Sequence, residues 1–166
     1  PNASFYILSS DTALNAMSSE KISVGVRPSQ VPEFLDRPQI VLNDTSTKLN
    51  ISEFNRWSEP VSLITQRAII ENLQRLLPNA YIATKGYDDQ SFNRLVQIDL
   101  IKMSGTLGQD ATLSAWWSIQ NNAGKTLTRA RFDATLPCGK TYADYVNTQN
   151  TLWGKLSAQI ASALVK

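Results

Sequence analysis

The chain contains no histidine and a single cysteine, Cys138. Histidine is the commonest general acid–base group, so its absence removes the Ser-His-Asp and Cys-His constellations outright. Zinc sites built from Cys and His fail for the same reason. One cysteine cannot form an internal disulfide, and Cys138 reads as a buried or loop thiol rather than a nucleophile, which would want a neighbouring base. The seven glycines are scattered, so no Gly-rich phosphate loop is present. DDQSFN at 88–93 lacks the ligand spacing of a calcium loop. Charged residues make up 18% of the chain and the net charge is +2. That is too little to argue for nucleic acid or an anionic membrane surface as a partner. No apolar run reaches the 18 residues that would suggest a membrane span. The chain opens on Pro1 rather than Met, as expected of a trimmed or processed form.

What remains is an ordinary globular balance, 42% apolar over 166 residues. A chain of this length buries about two thirds of its unfolded surface without a disulfide or metal staple. FYIL at 5–8 fits a first strand. In KISVGVRP, Ile22, Val24 and Val26 alternate with Ser23 and Gly25, a half-buried strand ending at Pro28. Pro32 and Pro38 bracket EFLDR as a tight connector. QIVLN and LNISEF, joined by DTSTK, predict a hairpin over 39–54. Ser58, Glu59 and Pro60 predict a helix start, with Ser58 as the capping residue, and Pro78 its end. On that helix Arg67, Glu71, Gln74 and Arg75 form a narrow polar spine, and most of the remaining circumference is apolar. A helix of this kind is covered on more than one side, by a sheet and by a second layer or subunit.

A short strand, YIAT, is followed by the turn GYDDQS and then by three long alternating strands with Gly-bearing links, GTLGQD and NNAGK. They predict an antiparallel sheet with one wet face. A second helix is predicted from about Thr141, with Thr141 and Asp144 as a capping box. Gly154 within it suggests close approach of a neighbour, because Gly costs about 1 kcal/mol there relative to Ala. The order predicts one α+β domain over 1–166, with a mostly antiparallel or mixed sheet and two main helices packed on one of its faces.

Two groups of residues stand out. By alternation Trp116 shares the wet face with Thr112, Ser114 and Ser118, and Arg129 and Arg131 of the next strand flank it. Either a helix or loop covers Trp116, or it meets a partner or ligand. The second group is a corner: Asp36, Arg37, Pro38, Arg56, Trp57, Glu59 and Pro60. Its carboxylates each have an arginine nearby in sequence and read as salt-bridged or capping groups that fix the turn, with Asp36 and Arg37 pairing Glu59 and Arg56. Asp88 and Asp89 read as a solvated turn.

LDRPQIV at 35–41, RWSEP at 56–60 and NLQRLLP at 72–78 resemble the PqiC/YmbA family, auxiliary lipoproteins of Gram-negative ABC-type and MCE-linked transport systems. FYIL, KISVGV and the closing LWGKLSAQIASAL fit the family in order, so the resemblance spans nearly the whole chain. It implies a non-catalytic protein without cofactor or metal, lipid-anchored at the periplasmic face of the outer membrane. The implied partner is an MCE-domain protein of an intermembrane lipid transport system. The apolar helix surface makes a homo-oligomer a further expectation. The resemblance places the lipidated cysteine upstream of Pro1; Cys138 is too far along to serve. The rival reading is a stand-alone lipid or small-molecule binding module, its pocket between helix and sheet and lined by Trp116, Trp117 or Trp153.

Overall fold

A computed structural model describes residues 2–84 and 92–166. The strands are β1 (Ser4–Tyr6), β2 (Ser23–Val26), β3 (Gln39–Asn43), β4 (Leu49–Trp57), β5 (Tyr81–Thr84), β6 (Arg94–Thr106), β7 (Asp110–Asn121) and β8 (Thr126–Pro137). The helices are α1 (Val61–Leu76) and α2 (Tyr142–Leu164). The class is α+β, as the sequence suggests, but the strands divide into two mixed sheets. One has the order β1-β4-β3 and the other β5-β2-β6-β7-β8. The reason lies in pairing that local pattern does not show. β2 lies parallel to both β5 and β6, and β1 lies parallel to β4.

The long meander β6-β7-β8 forms where the periodicity places it. Its turns need glycine: Gly108 and Gly124 have φ of 79° and 84°, a left-handed conformation that other residues rarely adopt. Both helices cover the same face of the five-stranded sheet, α1 over β2 and β5, α2 over β7 and β8. Val24, Val26, Ile98, Leu113 and Trp117 point into this layer and are buried. The inner face of the small sheet, with Ile40, Leu42 and Trp57, joins the same core. Each fully buried Leu or Ile there contributes about 1.5–3 kcal/mol.

The capping box of α2 is formed: the Asp144 N–H donates to Thr141 Oγ1 at 3.0 Å and the Thr141 N–H to Asp144 Oδ2 at 3.2 Å. The start of α1 differs from expectation. Pro60, not Ser58, is the capping residue, and its own side chain cannot cap. The Ser58 N–H is already committed to the Tyr6 carbonyl, which holds it at the end of the small sheet. The missing cap is supplied from a distance, because Asp36 Oδ1 accepts the Ser62 N–H at 3.0 Å.

A second cover on α1 is the chain's own N-terminal segment. The segment after β1 runs across both helices. The Ser9 N–H donates to Asn150 Oδ1, the Asp11 N–H to Asn72 Oδ1, and the Met17 N–H to the Leu76 carbonyl. Asn72 in turn donates to Ser157 of α2 at 3.1 Å, so one buried amide ties strap, α1 and α2 together. Gly154 is the neighbour-admitting position: a Cβ there would stand 2.7 Å from Asp11 Cβ.

Gly154→Ala is therefore expected to lower stability by about 1–3 kcal/mol, overpacking outweighing the gain in helix propensity. Asp11→Gly in the same chain should restore part of the loss. Urea midpoints of the two variants check this; an unchanged or raised midpoint for Gly154→Ala would remove the strap contact from the account.

Candidate functional site

Alternation along β7 sends adjacent tryptophans to opposite faces. Trp117 points inward, and its Nε1–H donates to Gln159 of α2 at 2.7 Å. Trp116 points outward, onto the face that carries no helix. There the register aligns Asp99, Trp116 and Arg131 across three strands, and Gln97, Ser118 and Arg129 beside them. The two guanidinium carbons stand 4.9 Å (Arg129) and 5.8 Å (Arg131) from the Trp116 ring centroid. Such cation–π contacts are worth about 0.5–1 kcal/mol each at exposed sites. Trp116 is thus covered by side chains of its own sheet and is half-buried.

Arg131 is oriented by Asp133, with Nε to Oδ2 at 2.8 Å and the second contact at 3.3 Å. The hydrogen bond from Arg131, and then one from Ser114, holds the Asp133 carboxyl below its usual range. Two further polar atoms on this face, Arg27 Nε and Asp99 Oδ1, are buried and have no hydrogen-bond partner in the protein. The arrangement is an aromatic plate with two cations over it, and with the unpartnered Asp99 carboxylate oxygen in register beside it. It can bind planar or anionic groups.

The corner residues behave differently: they face the chain. Asp36 caps α1, as above. Arg37 Nε donates to the Phe34 carbonyl at 2.9 Å. The Pro38 carbonyl accepts the Trp57 N–H. Trp57 lies in the core at 2% exposure. Arg56 Nε donates to the Glu53 carbonyl at 2.9 Å and pairs with the Glu53 carboxylate at 3.9 Å. Glu59 pairs with Arg67 at 3.0 Å. The Pro60 carbonyl accepts the Leu63 and Ile64 N–H groups. The expected cross-corner pairing of Asp36 and Arg37 with Glu59 and Arg56 is not made. Asp36 has the helix N-terminus to satisfy, and each arginine finds a carbonyl three residues back.

The expectation of a pocket between helix and sheet meets a packed layer: Trp153 is fully buried and Trp117 is 3% exposed. An apolar groove lies elsewhere, between the β3–β4 hairpin and β6. It is lined by Phe34, Leu35, Val41, Leu49 and Ile101, and its volume is about 110 Å³. Cys138 is buried, with Sγ against the Gly139 carbonyl at 3.3 Å. Burial, then the charges of Asp144 and Asp110, push its thiol up from the usual value. Asp88 and Asp89 lie outside the described residues.

Sequence reasoning missed the buried, unpartnered Arg27 Nε and Asp99 Oδ1. The signal was partly present, since Asp99 alternates with Val96, Ile98 and Leu100. Arg27 lies beside β6 only because β2 inserts there.

Two outcomes follow from this geometry. Asp36→Ala should cost about 0.5–2 kcal/mol through loss of the α1 cap, seen as a lower melting temperature; no change would mean the cap contributes nothing. Cys138 should react with an aromatic disulfide reagent at pH 7 only as fast as the protein unfolds, because the neutral thiol is favoured in the fold. The unfolded thiol ionises first as pH rises, so the stability linked to this group is present below its ordinary pKa and is lost above it. Rapid labelling of the native protein would contradict the buried, protonated thiol.

Comparison with known proteins completes the site description. An uncharacterised protein of known crystal structure superposes with a TM-score of 0.80 at 19% identity, over 99% of both chains. A Xanthomonas campestris protein superposes with a TM-score of 0.73 at 11% identity, over 95% of this chain and 92% of its own. At such identities the likeness is one of fold. No curated protein sequence matches the chain. Residues 6–161 match the family described as the ABC-type transport auxiliary lipoprotein component, and the chain belongs to that family.

Proposed function

We propose that the chain is a non-catalytic lipoprotein component of an envelope-spanning, MCE/Pqi-type intermembrane lipid transport system, held at the periplasmic face of the outer membrane. On this reading it docks the MCE-domain protein through the bare face of its five-stranded sheet. The observation that carries the docking surface is Trp116 with the guanidinium groups of Arg129 and Arg131 over its ring, on a face that carries no helix among the described residues. Trp and Arg are the residues most often found to dominate interface energies, since both pair large contact area with hydrogen-bond donors. The family description supports an auxiliary role in transport. The chemistry supports a non-enzyme: the chain has no histidine and the lone thiol is buried and protonated.

The carrier reading is less well supported. Pockets that enclose small molecules run to about 300–1,000 Å³ and are mostly apolar; among the described residues the apolar groove beside β6 holds about 110 Å³, and the larger hollows, about 270 Å³ beside the β3–β4 turn and about 330 Å³ beside Pro137 and Thr148, are open to solvent.

Co-purification of the full-length lipoprotein with its MCE-domain partner tests the proposal. Trp116→Ala, and Arg129→Glu with Arg131→Glu, should each weaken recovery by roughly thirtyfold or more, the scale of an interface hot spot. All three side chains are partly or wholly exposed, so folding should be retained and circular dichroism should show it. Undiminished recovery of the partner by both variants would overturn the proposed surface; failure of the unaltered protein to recover any MCE protein would overturn the system.

A further inference from the structure

A strand at the border of a sheet leaves a row of N–H and C=O groups without a neighbour, and a long unprotected border is a template for another strand. Most borders in this fold are short: β5 has 4 residues, β1 has 3 and β3 has 5. β8 is the exception. It closes the five-stranded sheet with 12 residues, and it holds no lysine and no proline before Pro137. Its one irregularity lies at the turn end, beside Ile119 and Gln120 of β7, so the ladder beyond it is unbroken.

The ladder fixes which backbone groups are free. The Cys138 N–H donates to the Gln109 carbonyl. The even-numbered residues of β8 that follow the same register therefore turn their backbone groups toward β7, and Arg129, Arg131, Asp133 and Thr135 turn theirs outward. Two observations agree. The hydroxyls of Thr112 and Thr135 meet at 2.8 Å, as fits the closer, non-hydrogen-bonded kind of cross-strand pair. Pro137, which has no N–H to give, stands at an outward position. Among the described residues no backbone group of another segment reaches the outward groups of Arg129, Arg131, Asp133 or Thr135.

We infer that β8 pairs antiparallel with β8 of a second copy of this chain, about a two-fold axis at Phe132, so that Arg131 of each copy stands opposite Asp133 of the other. Charge selects both the occupant and the register. The outward residues read positive, positive, negative, neutral in chain order, from Arg129 to Thr135. With the axis at Phe132, Arg131 meets Asp133 at two symmetric places and Arg129 meets Thr135. Sliding the second copy by two residues sets Arg131 against its own counterpart in one direction, and Asp133 against its own counterpart in the other. Like charges directly opposite destabilise a strand pair. A slip of one residue would exchange the faces of the added strand. Arg131 spends Nε and Nη2 on its own Asp133, and the remaining guanidinium donors are available to the second carboxylate. On the helical side Phe132 meets its counterpart, flanked by the half-buried Ala130 and Ala134, whose small side chains leave it room. An interface in which one strand complements itself closes as a dimer. The two sheets then become one, and its bare face carries Trp116 of both copies. The inference needs no second protein, so it stands apart from the docking proposal.

Sedimentation velocity over a concentration series tests this with charge variants of the whole chain. The unaltered chain should pass from monomer to dimer. Arg131→Asp and Asp133→Arg should each weaken self-association about tenfold or more, since each sets like charges opposite at both symmetric places. An equimolar mixture of the two variants should dimerise again, because opposite charges then face each other at both places. Neither variant keeps the charge pair within its own chain, so rescue in the mixture cannot come from mended folding. Disulfide trapping reads the register independently, with the buried Cys138 left in place. Arg129→Cys and Thr135→Cys in one chain lie about 20 Å apart along the strand and can join only between copies, so oxidation should give a covalent dimer. An unaltered chain that stays monomeric, an assembly of more than two copies, a mixture that stays monomeric, or no covalent dimer on oxidation each overturns the inference.

Discussion

A strand cannot send two neighbouring side chains to the same face. Trp116 and Trp117 make this constraint the organising feature of the molecule. Trp117 is fixed inward by its hydrogen bond to Gln159 of α2, so α2 is committed to that face and Trp116 to the other. The helices then enclose Leu113, Ala115 and Ile119 on one side. On the other side Trp116 must be covered by what its own sheet provides. The register supplies two arginines from β8. Core packing and the exposed aromatic site thus arise from one alternation.

Around that sheet, distant polar contacts fix the pieces that hydrophobic packing alone would leave free. Asp36 spans the turn between the two prolines to reach the start of α1. A buried carboxamide, Asn72, joins the N-terminal strap to α1 and α2 at once. Gly154 makes room for the strap where any side chain would collide with Asp11. On α2, Tyr145 is fully enclosed and packed against Gly105. Burial pushes its hydroxyl well above the ordinary tyrosine range.

Periodicity made the elements legible. The three long strands, both helices, the 39–54 hairpin and the α2 capping box all form as the local pattern requires. The opposite orientations of Trp116 and Trp117, and the arginines beside Trp116, followed from the same period of two. What the pattern could not carry was pairing between segments far apart in sequence. β2 inserts between β5 and β6, parallel to both, and nothing local to KISVGVRP encodes it. The cap on α1 was misplaced for a related reason: Ser58 has the right chemistry, but its backbone is held by Tyr6, and Asp36 does the capping from 26 residues away. The apolar circumference of α1 was visible, but its cover proved to be the chain's own N-terminal segment. The apolar outer face of the small sheet was not visible, because β1 is short and its parallel pairing with β4 is non-local.

These features make a domain with two unlike outward surfaces, the polar and aromatic face around Trp116 and the apolar outer face of the small sheet. The central claim is that the polar face around Trp116, and not the helical face, meets the transport partner. Site-specific photocrosslinking in cells tests it most directly, with the reactive group at position 116 in one strain and at Lys155, exposed on α2, in another. The account predicts an adduct with the MCE-domain protein from position 116 and none from position 155. An adduct formed from position 155 alone would contradict it.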